Sequence, residues 1–195
     1  MSVATAPKPV STATRASLIE ELHREPGKAE IIKGKVVRMS PAAWWHGQGS
    51  GAIYISLTEH KKKHGGGSGC ADNVGFLVDL PDRYSFSPDA AWHTGPFPAL
   101  SEGDAFVEGA PRFAAEIRSV SQYGPAADEN ILLKIREYFQ AGTLVLWDID
   151  YHREKLIRKY TPETLDNPAI FHQGDIADAE PAVPGWRFPV NELFA

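Results

Sequence analysis

Apolar and polar positions along this chain switch repeatedly between helical and alternating periods, and that switching lays out a mixed order of helices and strands. Ser17-Leu-Ile-Glu-Glu-Leu-His23 has helical spacing, opens on a Ser17 cap and stops before Pro26. Ala29 to Met39 holds two β-branched runs around Lys33-Gly34, the pattern of a hairpin, and Ser40-Pro41 ends it. Helical spacing returns from His46 to Lys63, with Ile53 and Leu57 turned inward and Tyr54 beside them. Gly65-Gly-Gly-Ser-Gly69 reads as an irregular loop.

Val74 to Asp79 and Tyr84 to Trp92 read as two strands around a turn at Leu80-Pro-Asp82, with loop from Pro96 to Ala110. Arg112 to Val120 is a strand whose Ala-rich centre predicts burial on both faces. Asp128 to Ala141 is a helix stopped by Gly142. Thr143 to Ile149 is a buried strand, and Glu154 to Tyr160 alternates as a half-exposed strand antiparallel to it. Pro181 to Phe194 reads as an irregular tail anchored by Trp186, Phe188 and Leu193. The order predicts an α/β fold with a mixed sheet flanked by helices and an N-terminal β-hairpin.

A chain of 195 residues suits one domain, and at this size roughly 70% of the unfolded chain's surface can be buried. Residues 1–15, rich in Ala, Thr, Ser and Pro, read as a flexible tail, which leaves 16–195 as a single domain. No apolar run approaches the roughly 20 residues of a membrane span. A lone cysteine, Cys70, excludes an internal disulfide and a cysteine-based zinc cluster, and a cytoplasmic location is the expectation. The net charge of −5 argues against a protein that coats a long stretch of nucleic acid, but not against a nuclease with a carboxylate-rich metal site.

The chemistry concentrates between Ser87 and Tyr138. Asp89 follows Pro88, and the missing proline donor marks an edge or bend at that end of its strand. Glu116 stands alone in the apolar run Phe113-Ala-Ala-Glu-Ile. A carboxylate there is costly to bury unless it is paired or bound to metal. Phosphodiester hydrolysis needs an activated water and charge stabilisation at the phosphoryl oxygens, and carboxylates converging on Mg²⁺ or Mn²⁺ supply both. Arg118 and Lys134 are the candidate basic partners. Arg118 cannot act as a base and could only clamp phosphate or neutralise charge. Asn130, Lys134 and Tyr138 recur every four residues on one helix face, beside the packing stripe of Ile131 and Ile135. Plainer alternatives stand beside each: a Glu116–Arg118 ion pair on one strand face, an ordinary turn acid at Asp89, and a solvated Lys134.

Other signals are weaker. His60 and His64 have metal-ligand spacing on a helix but no evident third ligand, so a solvated helix end with the basic Lys61-Lys-Lys63 is favoured. The glycine stretch lacks a Gly-Lys-Ser/Thr ending, which argues against a nucleotide phosphate loop. Trp44 and Trp45, next to His46, are candidates to line a cleft.

In order and spacing, Glu30-Ile-Ile-Lys-Gly-Lys-Val-Val-Arg-Met-Ser-Pro41, His46, Pro88-Asp89, Ala115-Glu-Ile-Arg-Ser119, Lys134-Ile-Arg-Glu-Tyr138, Leu146-Trp-Asp-Ile-Asp150 and Pro184-Gly-Trp-Arg-Phe-Pro189 resemble the Uma-two family of restriction-endonuclease-like proteins. The resemblance runs from about Ser17 to Phe194. That family is similar to the PD-(D/E)XK nuclease superfamily, which implies a restriction-endonuclease-like core, Asp89 and Glu116 as ligands of Mg²⁺ or Mn²⁺, and DNA as substrate. The lysine that the pattern places two residues after the acid is replaced by Arg118, and Lys134 on the following helix matches the family's substitute. Glu30 matches an acidic position of the first hairpin, as a further ligand or support, and Tyr138 matches the helix tyrosine. Asn130 stands where many members carry Asp.

The leading expectation is therefore a metal-dependent DNA endonuclease with Asp89, Glu116 and Lys134 at its centre and Glu30, His46, Arg118 and Tyr138 in support. The alternative is a non-catalytic nucleic-acid-binding or regulatory module on the same fold. A third is a homodimer whose acids are ion-paired.

Overall fold

In a computed structural model, which describes residues 14–103 and 105–194, the first helix begins earlier than its apolar pattern predicts. Thr14 rather than Ser17 caps it: the Thr14 hydroxyl accepts from the Ser17 N–H at 3.2 Å, and α1 runs Arg15–His23. The expected tail over 1–15 thus gives up Arg15 to the helix, and its first thirteen positions lie outside the described residues.

The hairpin forms as expected from β1 (Ala29–Ile32) and β2 (Lys35–Arg38), with Lys33 and Gly34 both at positive φ in the turn. Helix α2 spans Trp44–His64 and buries Ile53 and Leu57 completely. The glycine stretch behind it is not all loop. Ser68–Cys70 forms β3, an edge strand, because the glycines let the backbone lie against its neighbours. A Cβ on Gly67 would sit 2.6 Å from the His93 carbonyl oxygen, and one on Gly69 would sit 3.0 Å from Leu57 Cβ.

The region expected to be one strand from Tyr84 to Trp92 is two. β4 (Phe76–Leu80) turns into β5 (Arg83–Phe86), then Ser87-Pro88-Asp89 breaks the ladder and β6 (Ala90–His93) enters a different sheet. Proline supplies no N–H, so a bend at Pro88 costs no donor. β7 (Val107–Glu108) pairs with β4 inside the stretch expected to be loop. β8 (Phe113–Ile117), helix α3 (Pro125–Gln140), β9 (Val145–Asp150) and β10 (Leu156–Tyr160) follow the predicted order, and Gly142 takes positive φ just past α3. β11 (Ala169–His172), β12 (Ile176–Asp178) and β13 (Arg187–Pro189) complete the fold. The tail is thus partly regular, since β13 pairs with β12.

The strands form a five-stranded sheet in the order β2-β1-β5-β4-β7, a six-stranded sheet in the order β11-β10-β9-β8-β6-β3, and the small β12-β13 ribbon. β8 and β9 are parallel neighbours joined by α3, and the other pairs in the larger sheet are antiparallel. Burial of β8 on both faces follows from that central place: Phe113, Ala114 and Ala115 are fully enclosed. One face of the larger sheet packs Phe113, Trp147, Trp186 and Phe188 with Ile53 and Leu57 of α2. Trp147 and Trp186 stack at 5.0 Å, and Trp186 donates to Ser56 Oγ at 3.0 Å. The other face packs Ala114 and Leu146 with Ile135 and Tyr138 of α3 and with Phe76 and Phe86 of the smaller sheet. Each such large side chain contributes about 1.5–3 kcal/mol by leaving water.

Candidate active site

Three backbone features bring the acids together. The β6–β8 ladder pairs Ala90 with Ala115, and one further step sets Asp89 opposite Glu116. The Asp89 N–H continues that ladder by donating to the Ala115 carbonyl at 3.0 Å. The Ile117 N–H, the next donor along β8, is spent instead on the Asp89 side chain, at Oδ2 and 2.7 Å. The bend predicted at Pro88 is real, but β6 is not an edge strand, since β3 covers its far side.

Asp89 is only 4% exposed. Lys28 Nζ lies 2.6 Å from its Oδ1 and His46 Nε2 lies 3.1 Å from its Oδ2. Burial alone would raise the carboxyl pKa, but the His46 hydrogen bond and the Lys28 charge outweigh it and hold the group well below the usual carboxylate range. His46 shifts reciprocally: burial lowers its pKa, and its bond to Asp89 more than restores it, leaving the imidazole raised. The ordinary-turn-acid alternative for Asp89 does not fit these partners.

Glu116 is held from α3. Lys134 donates to its Oε2 at 2.8 Å and the Tyr138 hydroxyl to its Oε1 at 2.6 Å. Both donors come from the helix face that also carries Asn130, one turn apart. Burial pushes the Glu116 carboxyl upward, Lys134 opposes that, and the nearby charges of Asp89 and Glu30 add to the rise. Lys134 itself is raised, because Glu116 and Glu30 outweigh the burial that would lower it. It is a protonated ammonium rather than a base, and it is not a solvated helix residue. Tyr138 is raised well above the ordinary phenol value, first by burial and then by Glu116 and Glu30, so its hydroxyl serves as a donor.

Glu30 lies behind this pair, 1% exposed. Its carboxylate accepts from Arg83 Nη1 at 2.5 Å and from the Ser87 N–H at 3.0 Å, and it lies 3.2 Å from Lys134 Nζ. Burial raises its pKa, and the charges of Lys134 and Arg83 more than reverse that. Of the two roles expected for Glu30, this placement favours support over a ligand at the cleft surface. Arg118 does not pair with Glu116. Its Nε and Nη2 donate to Asp148 at 2.7 Å each, and its Nη1 donates to Asp128 at 2.6 Å. The charges it neutralises are those two acids.

Lys28, His46, Asp72, Asp89, Glu116 and Lys134 all line one broad open cleft. His46, Asp72 and Asp89 each bring one ligand atom within 4.8 Å of the other two. A divalent cation suits this donor set of carboxylates and imidazole. The place is already one for a cation, since the Lys28 ammonium is seated between Asp72, at 2.7 Å, and Asp89. Among the described residues, His60 and His64 gain no third ligand; their rings lie 4.6 Å apart and His60 packs edge-on to Trp92. Trp45 lines a separate hollow with Tyr151, His152, Lys155 and Phe194.

Against known families, residues 17–191 match Uma2, whose description reads "Putative restriction endonuclease". The chain belongs to the Uma2 family. Its fold is restriction-endonuclease-like and is similar to the crystal structure of a "putative nuclease belonging to DUF820" from Anabaena variabilis ATCC 29413. That match has a TM-score of 0.69 at 16% identity and covers 91% of this chain and 97% of the other. No curated protein matches the chain. Among the described residues, no helix is long and apolar enough to cross a membrane.

Within this Uma2 chain, four charged residues of the site escaped the sequence reading: Lys28, Asp72, Arg83 and Glu137. Arg83 bridges Glu30 and Glu137, donating to the latter at 2.6 Å. One signal was available for Lys28. It stands two residues before Glu30 at the mouth of β1, the spacing of a shared strand face. Asp72-Asn73 reads only as a turn, and the Asn73 N–H does donate to Asp72 Oδ1 at 2.7 Å.

Proposed function

We propose that this protein is a divalent-metal-dependent endonuclease that hydrolyses phosphodiester bonds in DNA. The observation that carries this reading is the meeting, in one cleft, of Asp89 fixed by the Ile117 amide and Glu116 held by the α3 ammonium of Lys134. Family membership supports the same reaction class.

In this reading Asp89 and Glu116 hold Mg²⁺ or Mn²⁺, which when bound supplies charge to the phosphoryl oxygens and acidifies a water. Lys134, kept protonated by Glu116 and Glu30, acts electrostatically on the scissile phosphate and orients the attacking water as a donor. Glu116, with Lys134 on one oxygen and Tyr138 on the other, keeps its carboxylate aimed as a ligand, and the proton that water loses passes to solvent. Tyr138 fixes the rotamer of Glu116, while Glu30 and Arg83 keep Lys134 aimed from behind. Water adds to phosphorus, the bond to the leaving oxygen breaks, and that oxygen gains a proton from solvent.

Nicking of supercoiled plasmid with Mg²⁺ or Mn²⁺, against a chelator and against Asp89→Asn and Glu116→Gln, tests the reading. Metal-dependent nicking lost in both variants is the expected result. Equal rates in wild type and variants would overturn it.

One observation favours a second reading, a non-catalytic nucleic-acid-binding module on the same fold. Both oxygens of Asp89 already have partners in Lys28, His46 and Ile117. That reading predicts binding of a DNA duplex in gel shift without any dependence on Asp89 or on metal.

A further inference from the structure

Lys28 enters from the turn ahead of β1, far in sequence from both acids it touches. Its ammonium lies 2.7 Å from Asp72 Oδ1 and 2.6 Å from Asp89 Oδ1, and its side chain is 17% exposed. A lysine with four rotatable bonds gives up much side-chain entropy to be held this way. Seating it is worthwhile only because two carboxylates 4.8 Å or less apart, one of them almost fully buried, repel each other without a cation between them. His46 completes the ring of donors, with Nε2 on Asp89 and Nδ1 buried without a hydrogen-bond partner.

We propose that Lys28 is a tethered counter-cation occupying a His46–Asp72–Asp89 metal position, and that a divalent ion enters by displacing its ammonium towards the open cleft. The ion would then take Asp72 and Nε2 of His46 as ligands in addition to Asp89, the Nε2 proton shared with Asp89 passing to solvent and the neutral imidazole keeping its proton on Nδ1. An imidazole in the set favours Mn²⁺ over Mg²⁺, because nitrogen donors suit transition ions and hard magnesium prefers oxygen. Two positive charges replace one, so metal and Lys28 exclude each other at Asp89. The inference rests on the metal-dependent reading of Asp89 given above.

Calorimetry of Mn²⁺ binding to the full chain separates the two claims. Lys28→Met is expected to bind Mn²⁺ at least tenfold more tightly than wild type, Lys28→Arg to stay within about threefold of wild type, and Asp72→Asn to bind at least tenfold more weakly. A second measurement uses the wild type alone. Acetylation of Lys28 by an amine-reactive ester, followed by peptide mass spectrometry, should rise severalfold when Mn²⁺ is saturating, as the ammonium moves to the open cleft. If binding depends on Asp89 but neither Lys28→Met nor Lys28 acetylation responds, the tethered-cation inference fails while the metal site stands. If Asp89→Asn binds Mn²⁺ as wild type does, or if neither wild type nor Lys28→Met binds it, both fail.

Discussion

The backbone N–H of Ile117 donates to Oδ2 of Asp89 at 2.7 Å, so the residue directly after Glu116 sets where the other acid points. Asparagine at 89 can still accept that N–H through its amide oxygen, whereas alanine cannot. Asp89→Asn is expected to lower metal-dependent nicking by roughly 10²-fold or more, the scale of the several kcal/mol a bound metal supplies. Asp89→Ala should lose activity and in addition cost about 1–3 kcal/mol of stability relative to Asp89→Asn, because a buried strand amide is left without a partner. Plasmid nicking and urea unfolding of the two variants side by side make the comparison.

Arg83 is enclosed between Glu30 and Glu137, at 2.5 and 2.6 Å. Removing the guanidinium leaves buried Glu137 without a charge partner and Glu30 with only Lys134 and the Ser87 N–H. Arg83→Met should destabilise the protein by about 3–5 kcal/mol in urea unfolding. Adding Glu137→Gln should recover part of that loss, because the orphaned charge is then gone.

Asp178 ties the β12 ribbon to the larger sheet: its Oδ1 accepts from Lys159 at 2.7 Å and from the Glu180 N–H at 2.9 Å. Burial raises its pKa, but these two donors prevail and leave it lowered. A carboxyl depressed in the folded state contributes stability above its unfolded value of about 3.9, and loses it as pH falls through the folded value. The thermal midpoint of Asp178→Asn should therefore fall less steeply than that of wild type as the pH drops below about 4.

Cys70 lies at the end of β3 and is buried. Burial lifts its thiol to about 11, with the Lys61 charge opposing weakly. At pH 8 the thiolate fraction is then small and the sulfur is hard to reach. Titration with a disulfide-exchange chromophore should find this thiol silent in the native protein and fully reactive in denaturant.

Periodicity carried the helices and central strands, because α2, α3, β8, β9 and β10 each bury a continuous face that leaves its spacing in the chain. It did not reveal that Tyr84–Trp92 divides between two sheets, since the apolar pattern is unbroken across Ser87–Asp89 and only Pro88 hints at the change. The same holds for β3, where Gly69 reads as loop although the absence of a side chain is what lets the strand fit against Leu57. Glu116 was legible as an acid out of place in an apolar run, and Lys134 and Tyr138 by their shared helix face. Asp72 was not, and Lys28 showed only its strand-face spacing with Glu30, because the Lys28 contacts to Asp72 and Asp89 form only through tertiary structure, across gaps of 44 and 61 residues.

The chain passes from one sheet to the other through residues 71–75, between β3 and β4, and again through 87–89, between β5 and β6. Asp72 sits on the first passage and Asp89 on the second, while Lys28 leads into the smaller sheet and Glu116 belongs to the larger. The cleft is therefore a seam, and neither sheet owns it. The spacing of the charged pairs across it is set by how the two sheets pack together, and a change in that packing would move all of them at once.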